Sequence, residues 1–185
     1  MQGTPEVAVL RLGHRAGRDE RTTTHVGLTA RALGADRAVL AGAGGSRSET
    51  IEDITNRFGG PFSVEVTDEP QAYVKDWDGT IVHLTMYGLP IQELEAEVRQ
   101  AVGTTEQGKQ RGSDLLIVVG AEKVSFELYE QADYNVAITN QPHSEIASLA
   151  VFLDRLFDGS ELDREWVDAE QTVLPRQEGK QVEER

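Results

Sequence analysis

Residues 134–157 of the chain read YNVAITNQPHSEIASLAVFLDRLF. The stretch passes from an apolar run at 135–138 into a segment whose apolar residues, from Ile146 to Phe157, recur at helical spacing. Between the two lie residues 139–144, which carry amides, hydroxyls and an imidazole. A strand that leads directly into a helix needs only a short turn. The stretch therefore predicts a strand, a polar ligand-binding loop and a helix.

The same alternation of apolar runs and helix-periodic segments extends over most of the chain. The predicted strands lie at 7–12, 37–41, 62–66, 80–85, 114–120 and 134–138. The predicted helices lie at about 22–34, 46–59, 91–103, 125–133 and 144–158. Such alternation is typical of α/β proteins with parallel sheets. We expect an α/β fold with a mostly parallel sheet of about six strands and helices on both faces.

The length and the end of the chain predict one domain with a short appendage. A chain of 185 residues can bury one proper core and is a little short for two. After Gly159 the sequence becomes polar and charged, with Trp166 as a possible anchor. We expect a single domain over residues 1–160 and a polar C-terminal tail over 161–185 that is partly disordered.

The composition excludes several classes of protein. There is no cysteine, which excludes disulfides and thiolate zinc sites. No apolar run is long enough to span a membrane, and the first residues do not form a signal peptide, so we expect a cytoplasmic protein. The histidines show no metal-binding spacing, so we expect no metal. They are His14, His25, His83 and His143.

The chain is strongly acidic, with 32 acidic residues against 18 basic ones and a net charge of −14. Fourteen of the basic residues are arginine and four are lysine. Acid-rich, lysine-poor chains are typical of a salt-loaded cytoplasm, where a Debye length of roughly 3 Å at molar salt screens self-repulsion. We therefore predict a halophilic protein. In such a protein the negative net charge does not argue against a nucleic-acid partner.

A local basic cluster follows the first predicted strand. Arg11, Arg15, Arg18 and Arg21 fall within eleven residues of an otherwise acidic chain. In open parallel sheets the carboxyl ends of the strands carry the ligand sites. Arginine recognises phosphate with two parallel hydrogen bonds. The cluster predicts contact with phosphate or nucleic acid, and we assign this contact to Arg15 and Arg18.

A glycine-rich turn at Gly42–Gly45 offers an alternative function. Its G-A-G-G sequence lies between a predicted strand and helix, and Glu65 lies near the distance expected for a ribose-binding carboxylate. The turn lacks the third glycine of a dinucleotide fingerprint and follows the second strand rather than the first. A flexible turn is the simpler interpretation. An NAD(P)-binding oxidoreductase built on this loop stays as an alternative.

Four motifs carry a resemblance to a known family. They are LRLGHRAGRDERTTTHVGLTARALGAD at 10–36, VHLTMYG at 82–88, VVGAEKV at 118–124 and YEQADYNVAITNQPHSEIASLAVFLDRL at 129–156. They resemble the archaeal tRNA cytidine-56 2′-O-methyltransferases, which belong to the SPOUT class of knotted methyltransferases. The resemblance covers about residues 7–160.

The resemblance implies a cofactor, a substrate and an assembly. It implies a C-terminal trefoil knot that binds S-adenosylmethionine, a tRNA substrate, and a homodimer with active sites near the interface. The motifs carry over the cofactor-binding positions Leu84, Gly120, Ala121, Glu122, Lys123, Val124, Ile138, Thr139, Asn140, Gln141, Pro142, His143, Ser144 and Glu145. A non-catalytic RNA-binding dimer stays as a further alternative.

We assign the catalytic roles to Arg21 and His25. An arginine is a poor general base because it stays protonated. Arg21 is therefore expected to hold the phosphate next to the target or to stabilise the forming 2′-alkoxide. His25, or a phosphate oxygen, is expected to receive the proton.

Overall fold

A computed structural model describes residues 5–13, 20–42, 45–104, 112–120 and 124–185. The strands of the main sheet are β1 Val7–Leu12, β2 Arg37–Ala41, β3 Ser63–Thr67, β4 Thr80–Pro90, β5 Leu115–Gly120 and β6 Tyr134–Ala137. The helices are α1 Glu20–Ala32, α2 Ser46–Phe58, α3 Pro70–Lys75, α4 Ile91–Val102, α5 Phe126–Gln131 and α6 Glu145–Phe157. A 3₁₀ turn at Ser160–Asp163 and two short strands, β7 Gln171–Leu174 and β8 Gln181–Glu184, follow.

The six strands form one sheet in the order β3-β2-β1-β5-β4-β6. Every neighbouring pair is parallel, which confirms the predicted fold class. From β1 the chain runs outward to β2 and β3, and later fills the other side with β4, β5 and β6. The strand order therefore reverses between β1 and β5. In open α/β sheets a ligand binds in the crevice outside the carboxyl ends of the strands at such a reversal.

Helices cover both faces of the sheet, so the strands are apolar on both sides. On one face, strand residues such as Val9 and Ile117 pack with residues of α1, α2, α4 and α6 in one buried cluster. On the other face, Leu10 and Leu116 pack with Val74 of α3 and Leu128 of α5. Among the described residues, no helix combines the length and apolarity that a membrane crossing needs.

Three aspartates fasten the amino-terminal edge of the sheet. Each lies directly before a strand, and its carboxylate accepts a hydrogen bond from a backbone N–H at the start of a neighbouring strand. The pairs are Asp36 with Val7, Asp114 with Glu6 and Asp133 with Ile81, each at 2.8 Å. Part of the acidic content of the chain is therefore structural.

The C-terminal segment, which the sequence predicts as a polar tail, contains short secondary structure. β7 and β8 pair as an antiparallel hairpin with Gln171 opposite Glu184. Ahead of the hairpin, the N–H of Gly60 donates to the carbonyl of Val167 at 2.8 Å, and the guanidinium of Arg31 lies 4.4 Å from the ring centroid of Trp166. Main-chain pairing and a cation–π contact hold this segment, and neither leaves a periodic signal in a polar sequence.

Candidate active site

The carboxyl end of β4 carries a bulge that shapes the site. The register of β4 against β6 shifts between Leu84 and Leu89, so the residues between them leave the ladder. A Cβ on Gly88 would lie 2.4 Å from the backbone oxygen of Asn135, so only glycine fits there. The amide of Asn140 donates to the carbonyls of Met86 at 2.7 Å and Gly88 at 3.0 Å. Asn140 thereby ties the loop after β6 to the bulge of β4.

A cleft of about 700 Å³ opens at the carboxyl ends of β4 and β5, between the bulge and the start of α6. This volume lies in the range of small-molecule sites. The residues that line it are Thr22, His83, Leu84, Thr85, Met86, Tyr87, Gly120, Val124, Tyr129, Pro142, His143, Ser144, Glu145 and Ser148.

The loop before α6 is organised by its own hydrogen bonds. The Oγ of Ser144 accepts from the N–H of Ala147 at 3.1 Å and caps the helix. Nδ1 of His143 lies 2.9 Å from the carbonyl oxygen of Gln141, and since a carbonyl only accepts, Nδ1 carries the proton. The first turn of α6 thus faces the cleft in a fixed conformation, with the positive end of the helix dipole toward it.

A partly buried polar network, with His83 buried at its centre, underlies the cleft. The amide nitrogen of Asn135 donates to the carbonyl of Tyr129 at 2.9 Å, which fixes the orientation of the amide. Its oxygen therefore accepts from Nδ1 of His83, at 2.9 Å. Burial lowers the pKa of His83, against the opposing effect of the bond to Asn135. The ring is therefore neutral near pH 7, with Nε2 as an acceptor. The hydroxyl of Tyr129 lies 3.0 Å from that of Thr85 and extends the network.

Arg11, near the end of β1, is a site residue that our cofactor and catalytic assignments missed. It is 2% exposed, and its Nε lies 3.4 Å from a carboxylate oxygen of Glu145 at the start of α6. Its Nη1 donates to the carbonyl of Gly13. Arg11 therefore links Gly13, directly after β1, to the start of α6. The signal in the sequence is a charged residue inside an otherwise apolar buried strand, where an arginine needs a partner.

The structure brings half of the predicted cofactor residues together in the cleft. They are Leu84, Gly120, Val124, Pro142, His143, Ser144 and Glu145. Four others lie beside it without lining it. Of these, Ile138 packs against the core and Thr139 is exposed, while Asn140 and Gln141 make the hydrogen bonds described above. Ala121, Glu122 and Lys123 lie outside the described residues.

The predicted catalytic residues lie at the start of α1. Arg21 and His25 are both exposed and are not among the residues that line the cleft, whereas Thr22 lines it. Arg15 and Arg18, the predicted tRNA contacts, lie outside the described residues. The catalytic assignments stay predictions.

The geometry does not support the alternative of an NAD(P)-binding oxidoreductase. Gly42 follows β2, on the far side of β1 from the cleft. Glu65, the candidate ribose ligand, accepts a hydrogen bond from Tyr73 at 3.2 Å and forms an ion pair with Arg37 at 3.6 Å. A carboxylate with these partners is part of a structural ion pair rather than a ribose-binding group.

Comparison with known proteins decides the family. The family model described as tRNA ribose 2′-O-methyltransferase, aTrm56, matches residues 58–183. The tRNA (cytidine(56)-2′-O)-methyltransferase of Natronomonas pharaonis is 64% identical over 183 residues, covering 99% of this chain and 97% of the relative. The chain belongs to the aTrm56 family of tRNA ribose 2′-O-methyltransferases. The resemblance read from the four motifs is confirmed.

Solved structures confirm the SPOUT-type sheet of this aTrm56 family member. An RNA 2′-O ribose methyltransferase matches with a TM-score of 0.59 at 15% identity, over 86% of this chain and 58% of that protein. The SpoU methyltransferase AviRb of Streptomyces viridochromogenes, solved with the cofactor AdoMet, matches with a TM-score of 0.52 at 13% identity, over 86% of this chain and 59% of AviRb. At such low identities these matches establish the fold alone.

Proposed function

We propose that this chain transfers the methyl group of S-adenosylmethionine to the ribose 2′-oxygen of cytidine-56 in tRNA. The observation that carries the proposal is the cleft at the ends of β4 and β5 in a member of the aTrm56 family. The 64% identical relative is named for this reaction. AviRb, which shares the fold, was solved with the same cofactor.

The cleft residues fit S-adenosylmethionine. The volume of about 700 Å³ accommodates the whole cofactor. Leu84, Met86 and Val124 offer apolar contact to an adenine ring, and the N-terminal turn of α6 suits a carboxylate. The bound cofactor would supply an electrophilic methyl group on a sulfonium sulfur. The protein supplies the orientation of the two reactants.

The acceptor oxygen must lose its proton as it attacks the methyl group. Arg21 holds the phosphate beside the target ribose or stabilises the alkoxide that forms, because a guanidinium donates hydrogen bonds without releasing its proton. His25, one turn further along α1, or a phosphate oxygen takes the proton. The exposure of both side chains supports contact with RNA. Arg15 and Arg18 contribute tRNA affinity in this proposal.

The remaining expectations from the family belong to the same proposal. A trefoil knot is supported by the path of the chain, which leaves β4, enters the sheet at β5 and then crosses back over β4 to β6. A homodimer is supported by exposed apolar residues beside the cleft and on α6, namely Tyr87, Leu89 and Val151. The proposal also includes a single domain over residues 1–160, a cytoplasmic location and adaptation to high salt. The net charge of −14 supports the adaptation to high salt.

A ligand and activity comparison tests the proposal. S-adenosylmethionine should raise the melting temperature and NAD(P) should not, because binding to the native state alone stabilises it. Labelled methyl groups should enter an unmodified tRNA transcript. Stabilisation by NAD(P) alone would favour the oxidoreductase. Cofactor binding without methyl incorporation would favour the non-catalytic RNA-binding dimer.

A further inference from the structure

A second cavity lies next to the cofactor cleft. It has a volume of about 300 Å³ and lies between α3 and α5, at the carboxyl ends of β1 and β5. Its floor is apolar and includes Leu12, Val74 and Leu128. Its rim is polar and carries the side chains of Gln71, Ser125, Glu127 and Gln131. An apolar floor with a few polar groups at its edge is typical of a ligand site.

The two cavities share a wall. Gly120, the last residue of β5, and Val124 line both of them. Gly120 has no side chain, so only main chain lies between the two spaces at that point. Both cavities lie at the carboxyl end of β5, so a methyl donor in one and the ribose of a nucleotide whose base lies in the other can meet beyond that end. An enzyme that joins two substrates needs such adjacent sites, because the reacting atoms must come within about 3–3.5 Å.

We propose that this second cavity takes the base of the nucleotide to be methylated, and that the Glu127 carboxylate recognises it as cytosine. The inference rests on the proposed function and adds the element that selects the base. Enzymes that modify a nucleotide commonly take its base out of the stack into a close-fitting pocket. The flat face of a pyrimidine would lie on the apolar floor.

The polar groups at the rim match cytosine rather than uracil. Within the described part of the chain, the exposed side chains of Gln71, Glu127 and Gln131 make no ion pair or hydrogen bond. A carboxylate only accepts hydrogen bonds, so it accepts from the exocyclic amine of cytosine and opposes the carbonyl oxygen that uracil has at that position. The two amides can donate to the ring nitrogen and the remaining carbonyl of cytosine.

An exposed aromatic residue supports an RNA ligand at this rim. Phe126, between the lining residues Ser125 and Glu127, is 76% exposed. Burying such a ring against the core would stabilise the fold, and this ring stays in water. Aromatic side chains in RNA-binding proteins stack on unpaired bases. Phe126 is placed to stack on a nucleotide next to the one in the cavity.

The test compares two matched substitutions on α5. Glu127→Gln gives the rim a side chain that can donate to uracil, whereas Glu130→Gln makes the same change at an exposed position of α5 that does not line the cavity. Single-turnover methylation is measured with two tRNA transcripts that differ only by cytidine or uridine at position 56. Both sites are exposed, so the variants should fold, and calorimetry with S-adenosylmethionine checks this.

The wild type and Glu130→Gln should methylate the cytidine transcript at least about tenfold faster than the uridine transcript. In Glu127→Gln this ratio should fall about tenfold, with cofactor affinity unchanged. An unchanged ratio in Glu127→Gln, or no preference in the wild type, would overturn the base pocket while leaving the methyltransferase proposal standing. A wild-type protein that binds the cofactor and methylates neither transcript would overturn the proposed function itself.

Discussion

The guanidinium of Arg11 and the carboxylate of Glu145 join the two ends of the site, with Nε and Oε2 3.4 Å apart. Arg11 ends a run of buried strand residues, and Glu145 opens α6 at the wall of the cleft. Because Arg11 also donates to the carbonyl of Gly13, one buried cation joins the end of β1 to the start of α6 at the wall of the cleft.

Replacing Arg11 with methionine should weaken cofactor binding by at least about tenfold, or about 1.4 kcal/mol. The substitution keeps much of the side-chain volume but removes the charge that holds Glu145 and the donor to Gly13. Breaking a buried ion pair should also cost roughly 3–5 kcal/mol of unfolding free energy. Calorimetry with S-adenosylmethionine, at a temperature where the variant is folded, measures the first effect.

Two further variants make the Arg11 test specific. Arg11→Lys should recover only part of the affinity, because a point charge does not reproduce the guanidinium contacts. Arg37→Met removes another strand arginine, which pairs with Glu6 at 3.0 Å on the amino-terminal edge of the sheet, and should leave cofactor affinity unchanged. A folded Arg11→Met protein with wild-type cofactor affinity would show that the pair has no role in binding.

Arg21→Ala should reduce the rate of methyl transfer by roughly 10²-fold or more, the range for removing one donor to a transition state. Cofactor affinity should barely change, since Arg21 is not among the residues that line the cleft. Arg21→Lys should restore the rate only in part. Single-turnover assays at saturating tRNA measure the rate. A near-normal rate with weaker tRNA binding would make Arg21 a docking residue instead.

Glu161 should make the protein less stable as the pH rises. It is 6% exposed, and neither carboxyl oxygen has a hydrogen-bond partner among the described residues. Burial raises the pKa of Glu161 above its ordinary value of 4.5, against the opposing effect of its own backbone N–H and with a smaller contribution from nearby Asp154. Between the two pKa values the folded state binds more protons than the unfolded state, so stability is lost as the pH rises through this window.

Glu161→Gln should therefore raise the free energy of unfolding at pH 7 by about 1 kcal/mol or more. The gain should disappear below about pH 4.5, where the wild-type carboxyl is protonated in both states. Chemical denaturation at several pH values measures this difference, with the exposed Glu165→Gln as the matched control. A gain of the same size at low and neutral pH would rule out the titration of Glu161 as its cause.

High salt should preserve the activity and stability of this enzyme, whereas it weakens the tRNA binding of most proteins. We expect methylation to persist in molar potassium chloride, and the protein to weaken or unfold at low salt, because unscreened carboxylates repel one another. A basic enzyme would instead lose its tRNA as counterion release becomes less favourable. An activity optimum below about 0.2 M salt, where the Debye length is near 8 Å, would contradict the halophilic interpretation.

Local patterns predicted most of the fold. The six strands and five of the six helices lie within a few residues of the predicted bounds, because buried strands and amphipathic helices leave clear periodicities. α3, a helix of six residues, was missed. The extension of β4 to Pro90 was missed because it depends on pairing with β6 beyond the bulge, and that pairing leaves no local pattern.

The parts of the candidate site that are formed by one continuous segment could be predicted from the sequence. The contacts that depend on the order of the strands in the sheet could not. The polar composition of the loop at 142–145 was enough to predict a ligand-binding loop from the sequence. The contact between Arg11 and Glu145 required β1 and β5 to be neighbours and α6 to begin at their ends, which no single segment encodes. The second cavity joins residues of β1, α3 and α5, which together span more than a hundred positions of the chain.

Methyl transfer to a tRNA with one altered sugar tests the central claim most directly. Two transcripts are compared that differ only in carrying cytidine or 2′-deoxycytidine at position 56, with labelled S-adenosylmethionine as the donor. We predict about one methyl group per molecule on the first transcript, mapped to the 2′-oxygen of position 56, and none above background on the second. Equal labelling of both transcripts, or labelling of neither by a protein that binds the cofactor, would contradict the assignment.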